Sequence, residues 1–342
     1  MARERVISGA QVTPDEDLVQ FSLRPDSLAD YVGQRELKEK LHVLLEAAKS
    51  RSEPVEHVLL YGPPGLGKTT LAHIIANEMG TKLISTSGPA LQRTGDLMGI
   101  LTNLNEGDIL FIDEMHRLSS VIEEFIYPAM EDFKVDFVVD KGAFAKVINI
   151  PLKRFTLVGA TTRAGMLSAP LRDRFGLYYH IDFYPPDELA QIVARSAKLL
   201  EIEADHDTAD LIAARSRGTP RVANRLLRRV RDYATVKGDG RLTVAMAEKA
   251  LDVEGVDSAG LDDLDRKLLK IVIEYYKGGP VGIEALGATL NEEVDTLVDM
   301  VEPYLLKIGF IQRTKRGRMA SSEAARHLGL KLGVEGPQQS FL

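Results

Sequence analysis

A glycine-rich segment that follows a short apolar run carries the most specific chemical signal in the sequence. The run His57-Val-Leu-Leu-Tyr61 leads into Gly62-Pro-Pro-Gly-Leu-Gly-Lys-Thr69, which fits the pattern GxxxxGK[ST] in full. Its glycines let backbone N–H groups close around phosphate oxygens, Lys68 would reach the β- and γ-phosphates, and the Thr69 hydroxyl would ligate Mg²⁺. The segment predicts a P-loop that binds a nucleoside triphosphate.

Two adjacent acids end a second apolar run. Ile109-Leu-Phe-Ile112 precedes Asp113 and Glu114, as expected where a second strand ends beside a P-loop. Asp113 would hold magnesium through water, and Glu114 would polarise the water that attacks the terminal phosphate. The alternative is an acidic strand end that faces solvent, and the P-loop in the same chain disfavours it.

Two hydroxyl residues follow a third strand-like run, Phe155-Thr-Leu-Val-Gly159. Thr161 and Thr162 could hydrogen-bond the γ-phosphate or the attacking water. Hydroxyl groups at a strand end are common, so this signal is weak on its own. The sequence leaves open which of the two threonines senses the phosphate.

Two arginines are candidates to contact a bound anion. Arg174, in Leu171-Arg-Asp-Arg-Phe-Gly176, is the candidate for an arginine that neutralises charge on the transferred phosphoryl group. That effect is worth roughly 10³–10⁵ in rate and can come from a neighbouring subunit. An ion pair of Arg174 with Asp173 or another acidic neighbour is the alternative. Arg221, in Gly218-Thr-Pro-Arg221, falls in the first turn of a predicted helix, where a cation is unfavourable unless an anion such as ATP binds there.

The composition excludes other chemistries. The 342 residues include no cysteine and no tryptophan, which removes disulfides, thiolate nucleophiles, iron–sulfur clusters and zinc sites built on sulfur. The seven histidines form no HExxH motif, and the chain has no nucleophile elbow. Hydrophobic residues at 44% and charged residues at 27% are typical of a globular chain of two or three domains.

The N-terminal segment is charged and lacks the apolar core of a secretory signal. No run of about 18 apolar residues follows it, so we expect a cytoplasmic protein that makes no membrane contact. The net charge of −7 argues against wholesale coating of nucleic acid. Two basic clusters, residues 215–231 and 307–331, nevertheless predict local contacts with a polyanion.

The elements that must position these residues fall into three predicted domains. Residues 1–184 alternate buried strand-like runs with helices, the pattern of an α/β domain with a parallel sheet. A capping box at Ser120 and Glu123 begins one of these helices. Prolines 185 and 186 interrupt the pattern, and residues 185–255 are predicted to form a small all-α domain.

The last predicted domain, residues 256–342, contains three helices and then two short strands around the basic turn Lys315-Arg-Gly317. This is the pattern of a winged helix-turn-helix. Such modules often bind DNA, but many bind only protein.

A predicted hairpin at about residues 134–150 is more apolar than a free hairpin should be. Its arms flank Asp140-Lys-Gly-Ala143, and Phe144, Ile148 and Ile150 share one face at period two. The hairpin is either ordinary core structure or an exposed surface that docks a protein partner.

The order of these elements resembles that of AAA+ ATPases, and within them the bacterial RuvB family of Holliday junction branch-migration motors. The resemblance spans nearly the whole chain, including the winged helix. It rests on these segments: His57-Val-Leu-Leu-Tyr-Gly-Pro-Pro-Gly-Leu-Gly-Lys-Thr-Thr70, Phe111-Ile-Asp-Glu-Met-His-Arg-Leu118, Gly159-Ala-Thr-Thr-Arg163, Ser168-Ala-Pro-Leu-Arg-Asp-Arg-Phe-Gly176 and Gly218-Thr-Pro-Arg-Val-Ala-Asn-Arg225.

The resemblance implies a homohexameric ring that uses ATP and Mg²⁺ to pull duplex DNA through a Holliday junction held by RuvA, with RuvC as the associated resolvase. It implies nucleotide contacts from the P-loop and from several residues outside it: Gly62, Gly65, Gly67, Lys68, Thr69, Thr70, Leu23, Arg24, Glu131, Asp132, Phe133, Tyr184 and Arg221. Arg174 would be the arginine finger in the next subunit's site. The wing arginines Arg313, Arg316 and Arg318 would hold DNA, and Phe144, Ile148 and Ile150 would dock RuvA.

Two other functions remain open from the sequence. A clamp-loader-type AAA+ ATPase would share the motor but should carry a collar domain in place of a winged helix. A nucleotide-gated DNA-binding regulator of the transcription-activator kind should carry a Gly-Ala-Phe-Thr-Gly-Ala loop, and Gly142-Ala-Phe-Ala145 only begins like one.

Overall fold

The computed structural model describes residues 22–139 and 146–332. These residues divide into two compact units. The first, here called the sheet unit, comprises residues 22–62 and 66–182. The second, here called the helical unit, comprises residues 63–65 and 183–332.

The sheet unit is built from seven strands and the helices between them. The strands are Val58–Tyr61 (β1), Leu83–Ser87 (β2), Ile109–Asp113 (β3), Lys134–Val139 (β4), Lys146–Pro151 (β5), Thr156–Thr161 (β6) and Leu177–His180 (β7). The helices are Arg35–Arg51 (α1), Lys68–Met79 (α2), Thr94–Thr102 (α3), Ser120–Glu131 (α4) and Ala169–Asp173 (α5).

Five of the strands form one sheet in the order β2-β3-β6-β1-β7, and every neighbouring pair is parallel. The central strands read as continuous apolar runs because both of their faces are covered. Leu110, Ile112 and Leu157 pack in one core with Ile122 and Ile126 of α4. Since β6 lies between β1 and β3, the carboxyl ends of these three strands adjoin at one edge. The predicted parallel α/β domain is confirmed.

The beginning of α4 differs from the prediction by one residue. The N-cap is Ser119, whose hydroxyl accepts a hydrogen bond from the Ile122 backbone N–H at 3.4 Å. Ser120 is the first helical residue, so the capping box predicted at Ser120 and Glu123 is wrong. Adjacent serines satisfy the same local pattern, and only the backbone geometry selects between them.

Strands β4 and β5 form a separate antiparallel pair, in which Val135 lies opposite Ile150 and Phe137 opposite Ile148. Val135 is buried and Ile150 packs against the main core, whereas Ile148 is 42% exposed. The base of the hairpin is therefore core structure, and Ile148 faces solvent. Phe144 lies outside the described residues.

The helical unit contains four helices that follow Phe183, and then a winged helix. The first four are Pro186–Leu199 (α6), His206–Ala214 (α7), Pro220–Lys237 (α8) and Val244–Val253 (α9). The winged helix comprises Asp263–Lys270 (α10), Ile283–Leu290 (α11), Val294–Thr296 (α12), Glu302–Lys307 (α13), Ile311–Thr314 (β8), Gly317–Ala320 (β9) and Ser322–His327 (α14). Residues Ile271–Tyr275 and Leu297–Val301 are π-helical.

The winged helix has its own apolar core, which includes Leu268, Leu286, Leu305 and Ile311. Strands β8 and β9 pair antiparallel, and β9 also exchanges backbone hydrogen bonds with Val281. The prediction of a winged helix is confirmed. Between residues 22 and 332, leaving aside 140–145, no helix combines the length and apolarity that a bilayer crossing requires.

Candidate nucleotide site and wing

The P-loop connects β1 to α2, and its backbone depends on glycine. Gly62 has a φ of +143°, and a Cβ there would collide with the carbonyl oxygen of Ile181. Gly67, with a φ of +99°, occupies the position before α2. The Lys68 side chain is buried, and its Nζ donates to the Gly62 carbonyl oxygen at 2.8 Å. The predicted cradle is present, with its lysine folded back over the loop.

Thr69 and Thr70 occupy the first turn of α2, where both are partly buried. This turn carries the unpaired N–H groups and the positive end of the helix dipole. The loop and the start of α2 therefore fit a bound polyphosphate. Thr69 Oγ and the carboxylate of Asp113 are oxygen donors of the kind that Mg²⁺ prefers.

The acidic pair lies where β3 ends. Asp113 is partly buried, and its Oδ1 accepts the Glu114 backbone N–H at 2.8 Å. Glu114 has a left-handed backbone, with a φ of 49°, and its carboxylate is paired with Arg117 at 3.3 Å. Left-handed conformations of residues other than glycine are uncommon and concentrate at functional sites.

The two threonines at the end of β6 have different surroundings. Thr161 is buried, and its Oγ1 accepts the Arg163 backbone N–H at 3.0 Å. The same hydroxyl shares a 3.0 Å hydrogen bond with Nδ1 of His116. Thr162 is only partly buried. The hydroxyl of Thr161 is thus already used within the fold.

Arg174, the C-cap residue directly after α5, is held by three contacts within the sheet unit. Its Nη1 donates to the Pro170 carbonyl oxygen at 2.7 Å, and its Nη2 pairs with Glu131 at 3.1 Å. Its guanidinium carbon lies 4.2 Å from the centroid of the Tyr127 ring. The sequence allowed an ion pair with Asp173 or with another acidic neighbour, and the structure has the second, with Glu131.

The segment Glu131-Asp132-Phe133 joins α4 to β4. Asp132 pairs with Lys134 at 2.8 Å. The Phe133 ring packs inward, against the rings of His57 and Phe155 at centroid distances of 6.2 and 5.9 Å. Of the three residues, Glu131 is the one already joined to another candidate site residue, Arg174.

His57 was not identified as important from the sequence. Its Nδ1 accepts the Leu157 backbone N–H at 2.8 Å, and its Nε2 lies 3.1 Å from the Met130 carbonyl oxygen. Burial lowers the pKa of His57, and this effect outweighs the hydrogen bond to Met130. The neutral imidazole therefore joins β6 to the end of α4. The indication of this role would have been that the histidine beside the P-loop strand is buried, and burial cannot be recognised from the sequence.

The segment before α1 packs against the P-loop helix α2. Leu23 is buried, the Leu28 N–H donates to Glu78 at 3.1 Å, and Asn77 donates to the Asp26 carbonyl oxygen at 3.1 Å. Arg24 is near enough to His73 of α2 to lower its pKa, after the larger effect of burial. Leu23 and Arg24 are thus brought to the helix that begins with Lys68.

Tyr184 and Arg221 belong to the helical unit, as does Gly65 of the P-loop. The Tyr184 N–H donates to the Gly218 carbonyl oxygen at 2.9 Å. The Arg221 N–H donates to the Gly65 carbonyl oxygen at 3.4 Å. The tip of the loop therefore lies against the first turn of α8.

The basic cluster of residues 215–231 is not an exposed basic face. Arg225 is buried, and Arg217 is buried in an ion pair with Asp265. Arg215 and Arg231 pair with Asp252 and Asp232. The cluster is therefore not one continuous exposed basic face, because a helix that packs on several neighbours turns many of its side chains inward. A local polyanion contact at Arg221 stays a prediction.

The wing arginines are coupled to an acid that sequence reasoning did not single out. Glu302, the first residue of α13, has a side chain only 2% exposed. It forms ion pairs of 2.8 Å with both Arg313 and Arg318. Arg316 lies exposed in the turn between β8 and β9. No spacing rule links Glu302 to the two arginines, since the contact is tertiary.

Each of the three parts of the chain matches a known family model. Residues 23–181 match the family model "Holliday junction DNA helicase RuvB P-loop domain", residues 184–257 match "RuvB AAA lid domain", and residues 258–329 match "RuvB C-terminal winged helix domain".

Full-length relatives give the same result. The chain is 57% identical to a Holliday junction branch migration complex subunit RuvB of Kosmotoga olearia over 92% of each chain. It is 60% identical to that of Desulfosudis oleivorans over 91% of each chain. The solved structure of the Thermotoga maritima RuvB Holliday junction branch migration motor superposes with a TM-score of 0.84 at 51% identity, and the match covers 91% of this chain and 99% of that chain.

Family models cover nearly all of the described residues, and the P-loop, the acids of β3 and the threonines of β6 meet at one sheet edge. The chain therefore belongs to the RuvB family of AAA+ ATPases.

Proposed function

We propose that this chain is an ATP-driven DNA motor that moves Holliday junctions together with a RuvA-type partner in recombination and DNA repair. One observation carries the proposal. A P-loop, the two adjacent acids where β3 ends and the two threonines where β6 ends lie at the carboxyl edge of one parallel sheet, in a chain that also has a winged helix. The relatives from Kosmotoga olearia and Desulfosudis oleivorans carry the name of a branch migration complex subunit.

In the proposed mechanism, the loop N–H groups and the start of α2 bind the triphosphate, and Lys68 leaves the Gly62 carbonyl to contact its β- and γ-phosphates. Thr69 and Asp113 would hold Mg²⁺, which would supply positive charge to offset that of the phosphates. Glu114 leaves Arg117 to orient and polarise the attacking water. Leu23, Arg24, Tyr184 and Arg221 are other residues to which the family resemblance assigns nucleotide binding.

We assign the phosphate-sensing role to Thr162. The hydroxyl of Thr161 is buried and already engaged by Arg163 and His116, so a contact with phosphate would compete with hydrogen bonds inside the fold. Thr162 follows directly and is partly accessible. Thr161 then serves to fix the end of β6, beside which Thr162 is presented.

Arg174 acts on the nucleotide of an adjacent subunit. Its contacts with Tyr127, Glu131 and Pro170 hold the guanidinium at a partly exposed position, which reduces the entropy lost when it binds phosphate. This requires a ring, and we propose a homohexamer that works in the cytoplasm. Glu131 is then the group that Arg174 exchanges for the phosphoryl oxygens.

The chain would work as three parts, residues 1–184, 185–255 and 256–342. The first hydrolyses ATP, the second reports its state through Arg221, and the third contacts duplex DNA through Arg313, Arg316 and Arg318. Phosphate contacts suit a motor, because it must release the DNA after each step whatever the base sequence is. The 134–150 hairpin docks RuvA through Phe144 and Ile148, since Ile150 packs against the core of the sheet unit, and RuvC would resolve the junction.

A junction-migration assay tests the proposal. Synthetic four-way junctions with homologous arms are incubated with the purified chain, with ATP, and with or without RuvA, beside a plain duplex. We expect ATP-dependent conversion of junctions to duplex products with RuvA. The matched control is Lys68→Ala, which should abolish conversion. Conversion without ATP, or ATP hydrolysis without any conversion in the presence of RuvA, contradicts the proposal.

A further inference from the structure

The two wing arginines form a cross-strand pair that would be unfavourable on its own. Arg313 of β8 lies directly opposite Arg318 of β9. Like charges in that relationship destabilise a hairpin. Glu302 resolves the conflict because its carboxylate lies against both guanidinium groups. Its Oε1 accepts Nε of Arg313 at 3.1 Å and Nε of Arg318 at 2.8 Å. Its Oε2 accepts the two Nη2 atoms at 2.8 and 3.1 Å.

Both arginines use the same edge of the guanidinium for this contact. The edge formed by Nε and Nη2 faces Glu302, and Nη1 of each makes no hydrogen bond to any described residue. A guanidinium has five N–H donors, so each arginine keeps its other edge for a second acceptor. Arg313 is 53% exposed and Arg318 16% exposed, which makes Arg313 the more accessible of the two.

The charge of the cluster identifies the acceptor. Two guanidinium groups and one carboxylate carry a net charge of +1, which one singly charged anion would neutralise. A DNA phosphodiester is such an anion, and its oxygens match the planar fork of an arginine. The carboxylate remains ionised near neutral pH. Burial raises the pKa of Glu302, but the hydrogen bonds from Arg313 and Arg318 outweigh this and bring the pKa below its ordinary value.

The scaffold behind the cluster is also fixed. Val281 and Arg318 exchange backbone hydrogen bonds of 2.8 and 3.0 Å, so β9 is paired on both sides at that residue. Glu302 begins α13 from a buried position, and so its carboxylate has little freedom to follow a mobile arginine.

We propose that Glu302 is a positioning residue for phosphate binding, which holds Arg313 and Arg318 at a fixed separation with their free edges available to one DNA phosphodiester. Glu302 does not itself contact DNA. The inference rests on the proposed function, in which the wing binds duplex DNA. The inference predicts an unusual direction of effect: removal of a negative charge from the wing weakens the binding of a polyanion.

The test measures the affinity of the full-length chain for a labelled DNA duplex across a range of salt concentrations. We expect Glu302→Gln to bind about 3- to 10-fold more weakly than the wild type, with a smaller salt slope, although the wing is one charge more positive. The matched control is Glu292→Gln, which removes an exposed carboxylate of the same domain and should bind equally well or more tightly. Equal or tighter binding by Glu302→Gln overturns the inference.

A second arm separates this inference from the DNA-binding function itself. Arg313→Ala with Arg318→Ala should weaken binding and lower the salt slope by up to about two. Adding Glu302→Gln to that pair should change nothing further, because Glu302 acts only through the two arginines. If the paired substitution leaves the affinity unchanged, the proposed DNA contact of the wing is wrong. If it weakens binding while Glu302→Gln alone does not, only the positioning role is wrong.

The fold of the wing is checked by thermal unfolding of each variant. If Glu302→Gln loses a folded wing, the comparison uses Glu302→Asp, which keeps the charge and withdraws the carboxylate by one methylene group. We expect weaker DNA binding than in the wild type, since the two guanidinium groups then lose their common anchor. Affinity equal to the wild type overturns the inference.

Discussion

Nη1 of Arg217 lies 2.6 Å from Oδ2 of Asp265, and the two side chains are only 4% and 0% exposed. Nη2 of the same arginine donates to the Met300 carbonyl oxygen at 3.0 Å, and its guanidinium carbon lies 4.9 Å from the centroid of the Tyr304 ring. This buried ion pair joins the segment before α8 to the first helix of the winged helix.

Asp265→Asn should destabilise the helical unit strongly, because it leaves the Arg217 charge buried without a counterion. We expect a loss of about 3–5 kcal/mol in the free energy of unfolding, measured by urea denaturation. The control is Asp252→Asn, which changes the exposed partner of Arg215 and should cost less than about 1 kcal/mol. Equal costs for the two variants would show that burial does not set the strength of the Arg217 pair.

Arg174→Ala should leave nucleotide binding largely intact and lower ATP turnover by roughly 10³–10⁵. Lys68→Ala should abolish turnover. If the arginine acts in an adjacent subunit, mixing the two inactive variants creates some interfaces with an intact P-loop and an intact arginine. ATPase measurements on the mixture should then show partial recovery. An inactive mixture, in rings shown to contain both variants, contradicts action between subunits.

Thr162→Val should lower ATP turnover on the order of 10²-fold with little change in stability, since it removes a donor to the γ-phosphate or the attacking water. Thr161→Val should instead lower the free energy of unfolding by about 1–3 kcal/mol, because it leaves the Arg163 N–H without its buried acceptor. Steady-state kinetics and chemical denaturation of both variants check the assignment. The reverse pattern would make Thr161 the sensor.

His57 should make the sheet unit less stable as the solution is acidified. Burial lowers its pKa in the folded state below the ordinary value of 6.5, so only the unfolded chain binds a proton as the pH falls through that value. The contribution of His57 is complete above about pH 6.5 and decreases below it, down to the lowered pKa. Unfolding free energies measured between about pH 7.5 and pH 5 should decline less steeply in His57→Gln than in the wild type.

His206 provides the control for that experiment. Its pKa is raised by a backbone hydrogen bond and by Asp210, so its effect on stability has the opposite sign. His206→Gln should therefore not reduce the decline on acidification. An unchanged decline in His57→Gln would mean that another group causes it.

Local sequence patterns are enough to predict residues whose roles depend on backbone geometry. A phosphate loop needs glycines and a lysine at fixed spacing, so Gly62, Lys68 and Thr69 can be read from the chain, as can Asp113 at the end of an apolar strand. The spacing of apolar residues and the positions of turn residues also predicted the parallel sheet and the winged helix. The helix that begins at Ser120, with Ser119 as its N-cap, shows the limit of such predictions, which is about one residue.

Which polar side chains are in contact depends on long-range packing, which local sequence patterns do not reveal. It made Glu131 the partner of Arg174, engaged the Thr161 hydroxyl with His116, and set Glu302 between Arg313 and Arg318. It also turned much of the basic segment 215–231 inward. These contacts join residues that are distant in the chain or equivalent by type. Whether a side chain is buried, and which way it points, depends on how the elements pack and not on spacing in the sequence.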